Sequence, residues 1–162
     1  AAVAAAAAAA ASVSILTQCS VDRLPRLRAM AASWTGPLVC ALYAGSTDDD
    51  HNTVAGVANH NAVVVAAAAE ISAFVGAHHP RCSLDLIVVA EEIKAEEAAS
   101  EWAKYYPINR LRNVALSAAE TALVFHLDVD FVPSPGLHDR IVSTAAVRAG
   151  NECKGAEGQV ET

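Results

Sequence analysis

Asp128 and Asp130 are the residues whose type and spacing most suggest chemistry: two carboxylates flanking Val129 at the close of the apolar run Leu123-Val124-Phe125-His126-Leu127. Such a run suits a β-strand, whose period of two would place both acids on one face. At the C-terminal end of a strand in an open α/β sheet, they could hold a divalent cation against a substrate's phosphates. Two like charges this close are costly unless a cation or hydrogen bonds offset them. His126 shares their face by parity and could support the site, although a buried, satisfied core histidine is the expected role. Asp48, Asp49, Asp50 and His51 form a rival cluster, but acids that follow Ser46 and Thr47 suit the N-terminus of a helix and its dipole.

A second group stands some fifteen residues upstream of the acids. At about 100° per residue, a helix over residues 108–119 sorts Asn109, Arg110, Arg112, Asn113 and Ser117 onto one arc. Ile108, Leu111, Val114, Ala115 and Ala118 fall on the other, and Leu116 alone intrudes on the polar side. An ordinary solvated face would carry Lys and Glu. Arg and Asn instead bind phosphate, ribose or carboxylate with directional bonds.

The elements that must position these groups can be read from the pattern. Residues 12–18 predict a first strand, and Ser20 is a plausible N-cap for a helix over 21–34 with Asp22 in its first turn. Residues 38–43 predict a buried second strand. A long Ala- and Val-rich helical region opens near residues 45–47 and stops near His78, His79 and Pro80. Residues 84–90 predict a third strand and 91–104 a charged helix with a solvated face. The acid-bearing strand is expected over 122–128, and a last helix over 137–148 that ends at Gly150. Strands alternating with helices through short connections predict an α/β fold, a mainly parallel sheet with helices on both faces.

With 162 residues and 54% hydrophobic composition, one domain with an aliphatic core is expected. The net charge of −7 with scattered Lys and Arg argues against broad attraction to nucleic acid or anionic membrane. Residues 1–11 are a low-complexity Ala tract, too short and too weakly apolar to span a bilayer, as is the run 62–69, so no membrane segment is expected in this chain. Cys19, Cys40, Cys82 and Cys153 form no C-x-x-C pair. The first three should be small buried hydrophobes and Cys153 exposed in a polar, frayed tail over 150–162.

Three separated blocks carry a family likeness. They are residues 13–24, VSILTQCSVDRL, with Trp34-Thr35-Gly36-Pro37; residues 106–115, YPINRLRNVA; and residues 128–133, DVDFVP, with Pro135-Gly136-Leu137. In order and spacing they resemble the glycosyltransferase family 49 domain, whose members include xylosyl- and glucuronyltransferases. The resemblance is strong over residues 13–43 and 105–140, weak over 45–104, and absent from the Ala tract and the tail. It implies a GT-A fold, a Rossmann-like sheet that binds a UDP-sugar and a metal-binding Asp-x-Asp, acting with inversion on a glycan or glycoprotein acceptor. It also implies a Golgi lumenal location in a type II membrane protein.

Carried over by motif position, Asp130 would bind Mn²⁺ directly, and Asp128 would contact the metal or the donor's hydroxyls. Asn109, Arg112 and Asn113 match the helix beside the sugar nucleotide. Tyr106 sits where an aromatic could pack near the base, and Gln18 ends the first strand. In such enzymes the catalytic base and a further metal ligand come from the acceptor half. The chain stops about thirty residues after Asp130. It is therefore expected to be the N-terminal, donor-binding half of the domain, a partial GT-A unit over 12–149, with the base beyond its end. Two other functions fit the same residues: an inactive UDP-sugar-binding or scaffold module, and a glycoside hydrolase using the two acids about 7 Å apart.

Overall fold

In the computed structural model, which describes residues 12–44, 54–90 and 106–156, with side chains outside 54–60 and 147–156, strands and helices alternate as the pattern requires. Strand β1 (Val13–Ser20) is buried through Cys19. It extends two residues past the expected end because Cys19 and Ser20 pair in register with Leu42 and Tyr43 of β2 (Pro37–Tyr43). Between these strands lie a 3₁₀ turn (Val21–Arg23) and α1 (Leu24–Ser33), with Pro25 tolerated at the helix start. Ser20 precedes the turn as anticipated, yet its hydroxyl bonds the Asp22 carboxylate and caps no backbone amide.

Helix α2 (Val54–His78) and β3 (Ser83–Val89) follow, then α3 (Ile108–Ser117), β4 (Leu123–His126) and α4 (Leu137–Ala156). The sheet is parallel throughout, in the order β3-β2-β1-β4. The chain therefore walks outward from β1 to β3 and then returns to the far side of β1. Right-handed crossovers then put α1 and α2 on one face and α3 on the other. Leu27, Met30 and Ala31 of α1 and Val64, Ala68, Ile71 and Val75 of α2 pack with Ile15, Leu38 and Leu42 on the first face. Leu111 and Ala115 of α3 pack with Leu16, Val39, Ala41 and Tyr43 on the second.

Several sequence expectations shift. The fourth strand ends at His126, two residues before Asp128, because the 128–131 segment turns back on itself: the Phe131 N–H donates to the Asp128 carbonyl at 3.0 Å. His126 is exposed, not buried in the core, since β4 lies at the edge of the sheet. The last helix continues through Gly150 to Ala156, because a glycine inside a helix costs only about 1 kcal/mol and need not end it. Apolar composition extends beyond the 62–69 run: Asn61–His78, with mean hydropathy 1.4, is long and apolar enough to cross a membrane by length and composition. In the fold its Val64, Ala68, Ile71 and Val75 stripe docks on the sheet.

Cys19, Cys40 and Cys82 are buried free thiols, as their neighbours suggested. Burial pushes the Cys82 thiol up to about 11. The acidic cluster at 48–51 and the helix expected over 91–104 lie outside the described residues, as does the Cys153 side chain.

Candidate functional site

Strand order creates the site. The chain leaves β1 toward β2 on one side and returns from β3 to place β4 on the other, and such a switch point between β1 and β4 opens a crevice beyond the strand C-termini. Gln18, Cys19 and Ser20 at the end of β1 line a cavity of about 360 Å³ there, together with Asp22, Arg23, Tyr106, Ile108, Asp128, Val129 and Asp130. That volume lies within the range of small-molecule pockets.

The parallel register explains how the acids are held. Leu16 pairs with His126, so Gln18 stands level with Asp128 two residues further along. Gln18 Nε2 donates to Asp128 Oδ1 at 3.1 Å, and Arg112 Nη2 donates to the same oxygen at 3.1 Å. These two bonds, the Gln18 bond foremost, hold the Asp128 carboxyl below its ordinary pKa. Arg112 is delivered by α3, whose Leu111 neighbour is fully buried against the sheet. Val129 is 6% exposed and inserts into the core between two exposed acids, so the alternation expected of a strand survives in a turn.

Asp130 is held differently. Arg23 Nη1 donates to its Oδ1 at 2.6 Å, while Arg23 Nε donates to Asp22 Oδ2 at 3.3 Å. Hydrogen bonding and charge from Asp130 raise the Arg23 pKa. The Ser20 hydroxyl lowers that of Asp22. Tyr106 forms part of the wall and meets Tyr43 edge-on, with ring centroids 5.3 Å apart. Burial, and then the nearby thiols, push its hydroxyl pKa upward.

Of the residues singled out from sequence, Gln18, Tyr106, Asp128 and Asp130 border one cavity, and Arg112 bonds one of its acids. Asn109 and Asn113 occupy exposed positions of α3 and are not among the lining residues. The polar arc of α3 thus meets the acids through Arg112, while Ile108, assigned to the apolar arc, is 38% exposed and lines the cavity. Arg23 had no assigned role, and Asp22 was expected only in the first turn of a helix. Their signal was present in the sequence, an acid–base pair immediately after the first strand, where the switch point opens.

The carboxylates suit a hard divalent cation that keeps waters and phosphate oxygens in its shell, because such a cation needs only one or two protein carboxylates. Among the described residues no group of three or more His, Cys, Asp or Glu gathers as an all-protein cage. Beside Asp128, the buried Gln18 Oε1 has no hydrogen-bond partner among the described residues and is an acceptor available to a ligand. A glycosidase acid needs a raised pKa. Asp128 has a lowered one, so it could serve such a pair only as the ionised partner.

Fold and site together define a Rossmann-like α/β protein with an acidic cavity at its switch point. Comparison with known proteins makes the class specific: the chain belongs to the glycosyltransferase family described as "glycosyl-transferase for dystroglycan", whose model matches residues 12–159. The match takes in the middle segment, where the resemblance is weak, and the tail as far as residue 159, where the three sequence blocks carry none. The glycosyltransferase-like protein gnt15 of Dictyostelium discoideum is 33% identical over 132 residues, which cover 82% of this chain and 20% of that protein. The xylosyl- and glucuronyltransferase LARGE2 of Homo sapiens is 33% identical over 127 residues, covering 78% and 14%. A further relative, gnt13 of Dictyostelium discoideum, is 30% identical over 131 residues, covering 81% and 17%. The chain therefore spans a fifth or less of the length of these curated relatives.

Proposed function

We propose that the cavity binds a UDP-sugar together with Mn²⁺, as the donor site of an inverting glycosyltransferase acting on a glycan or glycoprotein acceptor in the Golgi lumen. The observation that carries this reading is the meeting of Asp128 and Asp130 with Gln18, Arg23 and Arg112 at the β1–β4 switch point. Asp130 would hold the cation directly and Asp128 would hold it or the donor's hydroxyls. Bound there, the metal supplies Lewis-acid neutralisation of the departing diphosphate.

The chain's own residues do the positioning. Gln18 and Arg112 fix the Asp128 carboxylate from β1 and α3, and buried Val129 fixes the turn that carries both acids. Tyr106, supported by Tyr43, presents an aromatic surface to the base. Asn109 and Asn113 sit further along the same helix and remain candidates for the sugar end of the donor. Relatives named xylosyl- and glucuronyltransferases make UDP-xylose and UDP-glucuronate the donors to examine first. The base that deprotonates the acceptor is not assigned to any residue of this chain.

Calorimetry with UDP in the presence and absence of Mn²⁺ tests the donor site. Binding should require the metal, and Asp130→Ala should abolish it. Unchanged metal-dependent binding in that variant would sink the assignment.

A further inference from the structure

Arg23 occupies the place a cation would take on Asp130. Its Nη1 lies 2.6 Å from Asp130 Oδ1 across 107 residues of sequence, brought there by the pairing of β1 with β4. A metal bound at that oxygen and the guanidinium compete for the same lone pairs.

We propose that Arg23 is a latch on Asp130: it neutralises the carboxylate until a divalent cation displaces it, and then turns its guanidinium onto the donor's diphosphate. The latch rests on the reading of Asp130 as a direct metal ligand.

Three features favour it. The first is an asymmetry between the acids. Asp128 is held partly by Gln18, which is 5% exposed and fixed in β1, whereas Arg23 and Asp130 have side chains 47% and 48% exposed and can part without disturbing the core. The second is charge. Three carboxylates, Asp22, Asp128 and Asp130, line the cavity, and Arg23 is the one cationic side chain among the described lining residues. A diphosphate would be repelled until a cation is bound, which makes metal before nucleotide the favoured order. The third is reach. Released from Asp130, Arg23 keeps its bond to Asp22 at the cavity wall. Its planar fork matches phosphate geometry in a way a lysine cannot.

The test titrates Mn²⁺ alone, and then UDP at saturating Mn²⁺, into the 162-residue chain and its Arg23→Ala, Arg23→Lys and Asp130→Ala variants. Removing a competing exposed ion pair should tighten Mn²⁺ binding to Arg23→Ala about three- to fivefold. The same variant should bind UDP with Mn²⁺ about tenfold more weakly, having lost a charged partner for phosphate. Arg23→Lys should fall between, and Arg23→Gln replaces alanine if that variant fails to fold. If Asp130→Ala loses Mn²⁺ while Arg23→Ala binds it unchanged or more weakly, the latch is overturned and the donor site stands. If Asp130→Ala and the parent chain bind Mn²⁺ alike, the ligand assignment fails and takes the latch with it.

Discussion

At the centre of the sheet, β1 and β2 lie under helices on both faces and Ile15, Leu38, Cys40 and Leu42 are wholly buried, whereas β4 at the edge is four residues long and leaves Leu123 and Val124 38% and 44% exposed. Yet the edge leads into the acids. The centre supplies stability and a fixed reference in Gln18, and the edge supplies a turn whose carboxylates stay open to a ligand. Placing charged groups at the thinly packed margin avoids the several kcal/mol that burying them would cost.

The centre-and-edge contrast breaks if mutations in the two regions cost the same. Trp34 is 1% exposed, donates its Nε1–H to the Pro37 carbonyl at 2.8 Å and meets His138 edge-on at 5.0 Å. Trp34→Ala should lose about 3–5 kcal/mol in urea unfolding. Val124→Ala on the edge should lose less than about 1 kcal/mol. Comparable losses would mean that β4 is covered as thoroughly as the centre.

An intermediate cost is expected where the start of α4 packs against Trp34 and Gly36. A methyl group on Gly36 would run into the His138 imidazole, the ring that packs on Trp34. Gly36→Ala should therefore cost about 1–3 kcal/mol through overpacking. In the Gly36→Ala, His138→Ala double variant the two losses should fall short of additive, since the second removes the clash made by the first. Strict additivity would show that the ring swings aside freely.

Much of this layout was legible in the chain. Apolar runs at residues 13–18 and 38–43 could be little other than buried strands, and the Leu111 and Ala115 spacing marked the face of α3 that docks. What escaped was what depends on three-dimensional register. The end of β4 is set by a backbone bond from Phe131 to Asp128, so Asp128 left the strand although its neighbours are strand-like. Arg23 and Asp130 lie 107 residues apart, and only the β1–β4 pairing makes them partners. His126 looked like a core residue because its strand is apolar, but an edge strand has one neighbour and a thinner cover. Gly150 resembled a stop, yet α4 passes through it.

The smallest effect concerns how the centre grips the edge. Asp128 has a folded pKa below the ordinary 3.8, held down first by the hydrogen bond from the Gln18 amide and then by the hydrogen bond and charge of Arg112. A depressed folded value means that these bonds stabilise the protein fully above the unfolded carboxylate pKa, and that the contribution disappears as the pH falls through the folded value. Because the Asp128 side chain is 50% exposed, that contribution is about 0–1 kcal/mol. Carbon-13 NMR of the Asp128 carboxyl should therefore show an upward pKa shift in both Gln18→Ala and Arg112→Ala, with acid unfolding moved to slightly higher pH in each. An unchanged Asp128 pKa in Gln18→Ala would transfer the anchor from β1 to α3. The rigidity of the acid turn would then come from the helix that follows the sheet's third strand, and the central strand would have no special hold on the site.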